Sequence, residues 1–234
     1  MKITDKIEIT NEDNMELMSR YPDKHFDLAI VDPPYGIGLG FSDAHEQARG
    51  GGKKGGHKQK DWNNNSPKVE YFKELLRVSK KHIIWGTNYY GECQPLFGQG
   101  RIIHSKLPTP FIQSTYSHAD IAATNCQNRI TMFSYQWSGN VQNGRMNTKN
   151  EENYLTGIEK RIHPTQKPVK LYEWLLINYA KAGDKILDTH LGSGSIAIAC
   201  YEYGFNLTAC ELDAEYYNKA VERIKNHMTQ IKLF

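Results

Sequence analysis

Short apolar runs alternate along the chain with stretches in which apolar residues recur every three or four positions. Residues 7–9, 28–31, 82–85, 185–187 and 207–210 are runs too short for helices, several of them bounded by turn formers, and they predict strands. Ser66 followed by Pro67 predicts an N-cap and a first helical residue, after which Val69, Phe72 and Leu76 keep helical spacing. Residues 171–181 carry an apolar stripe through Leu171, Trp174, Leu175 and Tyr179. In the last predicted helix Asp213 is the cap, and Tyr217, Ala220, Val221, Ile224 and Met228 share one face. Alternating strands and helices predict an α/β sheet covered by helices.

Two segments break the alternation. Residues 36–65 contain "RGGGKKGGHKQKDWNNN", whose glycines and lysines cannot bury enough apolar surface to offset the entropy of ordering. This predicts a mobile basic loop. It leaves directly from Asp32, so it is placed to close over a ligand there, although a passive insertion fits the composition equally well. Residues 101–161 mix Thr, Asn, Gln, Tyr and basic side chains with weak strand patterns, and predict an appended, polar, irregular or β-rich unit inserted in one domain spanning residues 1–234.

Composition narrows the setting. The chain has 234 residues, 39% of them hydrophobic, enough for one large core. No run approaches the roughly 18 apolar residues that cross a bilayer, and the first residues hold no apolar signal segment, so a soluble cytoplasmic protein without membrane contact is expected. Cys93, Cys126, Cys200 and Cys210 lie far apart and read as free thiols. The histidines lack ligand spacing, so no metal is expected. The formal charge of +3 is unevenly spread: residues 36–60 carry +3 and residues 101–170 carry +5, against −4 over residues 1–35. Any single lysine reads as solvated surface, but two basic zones between acidic ones suit a polyanion.

The stretch "LAIVDPPYGIG" puts Asp32 at the end of a buried strand, followed by Pro33, Pro34 and Tyr35. Further on, "GDKILDTHLGSGSIAIACYEYGFNLTACELD" reads as strand, Gly-rich turn, helix and a second strand ending in acids, with a small-molecule site at the strand ends. Gly192, Gly194 and Ala197 satisfy G-x-G-x-x-A, and Glu211 stands where a ribose-binding acid would, which is the dinucleotide pattern. Yet Asp188 ends the strand, and Thr189, His190 and Leu191 intervene before Gly192. A carboxylate there repels a pyrophosphate and suits an ammonium beside an adenosine, as in S-adenosylmethionine. The alternative is an Asp that only caps the turn.

With "DPPY" at 32–35, "HPTQKP" at 163–168 and "DTHLGSGS" at 188–195 in that order, the chain resembles the amino-methylating DNA methyltransferases of beta-type motif order. The resemblance implies a Rossmann-like S-adenosylmethionine-dependent methyltransferase fold, mostly parallel, with helices on both faces of the sheet. It implies methyl transfer to the N6 amine of an adenine flipped out of double-stranded DNA, with residues 101–161 as target-recognition region. Cytosine N4 is the alternative acceptor, more often with Ser before the two prolines. An NAD-linked oxidoreductase or a non-catalytic nucleic-acid-binding module are more distant readings, and a homodimer is left open.

By that resemblance the catalytic residues are Asp32, Pro33, Pro34 and Tyr35. An exocyclic amine is a poor nucleophile because its lone pair is delocalised into the ring. Asp32 and the Pro33 carbonyl would accept its two hydrogens, with the two prolines stiffening the turn, and Tyr35 would stack on the base. The cofactor would meet Asp188 at its amino group, the Gly192, Gly194 and Ser195 turn, Glu211 at the ribose and Asp13 near the adenine amine. Thr165 and Lys167 would meet its carboxylate, although a lysine at that place is also an ordinary surface cation. Thr189 and His190 replace the Pro and Phe usual in the family. The stretch "RIIHSKLPTP" lacks the tryptophan and acid often found there, so base recognition stays unassigned.

Overall fold

The computed structural model describes residues 1–37, 65–107, 117–138, 141–142, 145–146 and 159–230. Most of the expected basic loop and part of the expected recognition segment lie outside the described residues. The strands are β1 (Ile7–Thr10), β2 (Phe26–Val31), β3 (Ser79–Trp85), β4 (Gly100–Ser105), β5 (Ala119–Thr124), β6 (Ile130–Ser134), β7 (Trp137–Ser138), β8 (Val141–Gln142), β9 (Arg145–Met146), β10 (Lys185–Asp188) and β11 (Asn206–Cys210). The helices are α1 (Asn14–Ser19), α2 (Val69–Val78), α3 (Val169–Tyr179), α4 (Ser195–Tyr203) and α5 (Ala214–Thr229).

Eight strands form one sheet in the order β1-β11-β10-β2-β3-β5-β4-β6. The first five run parallel, β5 is reversed, and β4 and β6 pair parallel to each other beyond it. Parallel strands are buried on both faces, which is why their sequences read as continuous apolar runs rather than alternating ones. Ile30, Ile83 and Leu207 point into a core shared with α3, α4 and α5. Ala29, Val31 and Ile84 point into a second core with α1 and α2. Helices therefore cover both faces, as expected.

Differences from the expected elements have local causes. Helix α2 starts at Val69 rather than Pro67, because Lys68 takes extended backbone (φ −74°, ψ 165°) and becomes the N-cap without a side-chain bond. Its buried face is Tyr71, Phe72, Leu75 and Val78, with Leu76 half-buried. Helix α5 follows Asp213, whose carboxylate accepts from the Glu215 and Tyr216 amides as expected. The unit expected to be appended at 101–161 is in part main sheet: β4, β5 and β6 extend it, and among the described residues β7, β8 and β9 form a small sheet of their own. No described helix is long and apolar enough to cross a membrane, and the described residues hold no cluster of metal ligands.

Candidate active site

The sheet decides where the chemistry meets. Strand β10 pairs in parallel with β2, Ile186 opposite Leu28 and Leu187 opposite Ala29, so Asp188 and Asp32 leave the same edge at neighbouring strand ends. A cleft of about 790 Å³ opens there, lined by Asp32, Pro34, Thr165, Lys167, Gly192 and Glu211 among others. Ligands of open α/β sheets bind at this carboxyl edge. All three sequence motifs reach one cavity.

The Asp32 end is a tight network. Asp32 Oδ1 accepts from the Tyr35 hydroxyl at 2.6 Å, and Oδ2 meets Lys167 Nζ at 2.8 Å. Burial, with the Asp32 charge adding to it, holds the Tyr35 phenol well above its usual range, so it stays a donor. The Tyr35 ring stacks on Tyr89 with centroids 4.9 Å apart, and it lies against Gly86. A Cβ on Gly86 would sit 2.1 Å from that ring, and its φ is +74°, so only glycine leaves room for Tyr35. Tyr35 is half-buried, its ring packed on Tyr89 and Gly86 and its hydroxyl on Asp32. The Pro33 carbonyl accepts from the buried Tyr90 hydroxyl at 2.8 Å, a partner the sequence pattern did not reveal.

Lys167 was expected at a ligand carboxylate, yet its ammonium sits on Asp32. It is 6% exposed. Burial pulls the ammonium down in pKa, but Asp32 and Asp120 outweigh that and hold it above its usual value. The ring of Trp85 lies 5.3 Å from Nζ. Its backbone is pinned from the Gly-rich turn, because Ser195 Oγ donates to the Lys167 carbonyl at 2.8 Å and accepts from Arg223 Nη1 at 3.0 Å. Ser195 therefore joins two motifs instead of lining the cleft. Arg223 in turn pairs with Glu159 at 2.8 Å.

At the other end, Gly192 N donates to Glu211 Oε2 at 2.8 Å, and Asp213 N donates to Oε1 at 3.0 Å, which fixes the acid at the end of β11. Gly194 serves packing rather than ligand approach. Its φ is +75°, and an added Cβ would stand 3.0 Å from Ile224 Cδ1. We expect Gly194→Ala to lower unfolding free energy by about 1–3 kcal/mol in a urea titration, through αL strain and overpacking against α5. Asp13 also departs from expectation. Its carboxylate caps α1, accepting from Met15 N at 2.7 Å, while Glu12 and Asn14 on either side line the cleft. Thr165 lines the cleft, its hydroxyl 3.1 Å from His163 Nδ1.

Asp188 is 2% exposed, and its one hydrogen bond among the described residues comes from His190 N at 3.0 Å. Burial pushes its carboxyl up to about 8, with Asp32 and Glu211 adding to it and that amide opposing. Among the described residues no cation pairs with it. Thr189 and His190, where the sequence leaves the family pattern, form a polar wall: Tyr71 OH lies 2.6 Å from Thr189 Oγ1, and His190 Nε2 lies 3.2 Å from Asn14 Nδ2. Burial pulls the His190 imidazole down to about 3, so it is neutral.

A family model for DNA methylases, covering N6 and N4 enzymes, matches residues 105–222, half of the chain. The chain belongs to this DNA methylase family. The methylase is 24% identical over 250 residues to the type II methyltransferase M2.DpnII of Streptococcus pneumoniae, covering 94% of this chain and 90% of that one. Its fold is similar to that of M1.HpyAVI in complex with S-adenosylmethionine, with TM-score 0.53, 16% identity and coverage of 92% and 98%. It is also similar to the PvuII cytosine-N4-specific DNA methyltransferase, with TM-score 0.53, 14% identity and coverage of 94% and 90%. The methylase thus has the Rossmann-like fold of S-adenosylmethionine-dependent DNA methyltransferases, and its substrate is DNA.

Proposed function

We propose that the protein methylates the N6 amine of an adenine extruded from duplex DNA, with S-adenosylmethionine as donor. The observation that carries this reading is the shared cleft at the ends of β2 and β10, which Asp32, Gly192 and Glu211 all line. Asp in the first position of DPPY, rather than Ser, supports adenine over cytosine.

The residues fit the donor. Asp188 is a buried acid with no cation on it among the described residues, suited to an ammonium, and Glu211 is fixed by two backbone amides at a position suited to ribose hydroxyls. Bound there, the donor supplies an electrophilic methyl group on a sulfonium and leaves as a thioether. Asp32 accepts a hydrogen bond from the target amine, which draws the nitrogen toward a pyramidal shape and makes its lone pair available. Pro33 and Pro34 hold that carboxylate still, and Tyr90 fixes the turn through the Pro33 carbonyl. The surplus amine proton leaves to water or a nearby carboxylate, so no strong base is needed. Positioning supplies most of the rate.

The target must leave the helix to reach this cleft, at a cost of a few kcal/mol that stacking and phosphate contacts offset. The basic segments at 36–60 and 101–170 are suited to those contacts, and residues 101–161 to target recognition. DNA from cells expressing the protein, sequenced with detection of modified bases, should carry N6-methyladenine in one short sequence context absent from control cells. Modified cytosine instead would move the assignment to N4. Unmodified DNA in cells that accumulate folded protein would contradict it.

A further inference from the structure

Strands β4 and β5 place a second carboxylate behind the catalytic one. His104 stands opposite Asp120 in the antiparallel register, and Lys106 follows at the end of β4. Asp120 Oδ1 is held by Lys106 Nζ at 2.7 Å, while Oδ2 faces Lys167 Nζ at 3.7 Å and His104 Nδ1 at 3.8 Å. Burial pushes the Asp120 carboxyl up, but Lys167, His104 and Lys106 together hold it well below its usual range. Lys167 therefore lies between two carboxylates, 2.8 Å from Asp32 and 3.7 Å from Asp120.

That arrangement bears on the reaction. An ammonium on Asp32 weakens the carboxylate as an acceptor for the amine, and it repels a sulfonium entering the same cleft. A buried cation cannot simply be abandoned, because an unpaired charge in a dry site is costly. Asp120 removes the difficulty. A shift of about 1 Å, the difference between the two distances, exchanges one partner for the other. Ser195 holds the Lys167 backbone meanwhile, so only the side chain need move.

We propose that Asp120 is a positioning residue for methyl transfer, a second seat onto which the Lys167 ammonium withdraws from Asp32 when the target amine and the donor enter. The role rests on the methyl-transfer reading given above. Lys106 is the outer anchor of Asp120 and competes with Lys167 for it.

The test compares parent, Asp120→Asn, Asp120→Glu and Lys106→Met on unmethylated duplex DNA made by polymerase chain reaction, measuring kcat, KM for DNA, Kd for S-adenosylmethionine and Tm. Asp120→Asn should lower kcat at least tenfold while both binding constants stay within threefold, and Asp120→Glu should recover part of the loss. Lys106→Met, whatever it does to KM for DNA, leaves Asp120 freer to hold Lys167 and should lower kcat less than Asp120→Asn does. Purely structural support predicts a different pattern, with Asp120→Asn and Lys106→Met both losing Tm and kcat together. That pattern, or Asp120→Asn with parental kcat, would overturn the role while leaving methyl transfer intact. A parent that binds S-adenosylmethionine but labels no DNA would sink the methyl-transfer reading itself, and this role with it.

Discussion

Asp32→Ala is expected to reduce methyl transfer on the order of 10³-fold or more while S-adenosylmethionine binding stays within threefold. The asymmetry follows from the geometry. Asp32 is engaged by Tyr35 and Lys167 at the target end, whereas the Gly192 turn and Glu211 are held by their own backbone bonds. Removing a preorganised group that acts on the reacting amine costs roughly 10²–10³ in rate for a single hydrogen-bond donor, and more where it is a charge. The fold should tolerate the change, because Lys167 keeps Asp120 as a partner. Single-turnover transfer of a labelled methyl group, with calorimetric binding of the donor, separates the two quantities. Equal transfer by mutant and parent would remove Asp32 from the chemistry.

Asp188→Asn is expected to do the reverse, weakening donor binding about 10- to 100-fold, the range of a charge-assisted hydrogen bond. Its pH dependence is distinctive. In the free protein the carboxyl titrates at about 8, raised by burial from 3.8. Below pH 8 it is therefore protonated, and pairing with a ligand ammonium expels that proton. Binding of S-adenosylmethionine at pH 6–7 should release close to one proton through this group, and affinity should rise toward pH 8. Stability slopes the other way. The unfolded carboxyl ionises near its ordinary value, so between about pH 4 and pH 8 the folded state holds more protons and this group lowers stability as pH rises. Asp188→Asn should abolish both effects. Calorimetry in buffers of different ionisation enthalpy measures the proton count, and equal release by parent and variant would exclude Asp188 as its source.

Much of this site was legible because the signals are local. A short apolar run ending in Asp, and a second ending in Asp before glycines, mark carboxyl ends of buried parallel strands, and β2 and β10 are neighbours. What escaped depends on contacts between residues far apart in sequence. Tyr90 reaches Pro33 across 57 positions, and Lys167 reaches Tyr35 across 132. Neither leaves a periodic trace. Asp13 shows the same limit from the other side: its sequence position suits a ligand, but capping α1 claims its carboxylate first. The strands β4 to β6 left only weak patterns, read as an irregular or β-rich appendage, and what the sequence did not reveal is that they extend the main sheet. Polar residues such as His104 and Thr124 are fully buried there with backbone partners, which blurs the strand signal.

The chain belongs to a family of N6 and N4 DNA methylases, and the acceptor atom separates the two. The decisive measurement is nucleoside mass spectrometry of duplex DNA incubated with the protein and S-adenosylmethionine carrying a trideuterated methyl group. N6-methyladenine heavier by three deuteriums is expected with the parent and none with Asp32→Ala. Label on cytosine N4, or no label on DNA from folded parent protein that binds the donor, would contradict it.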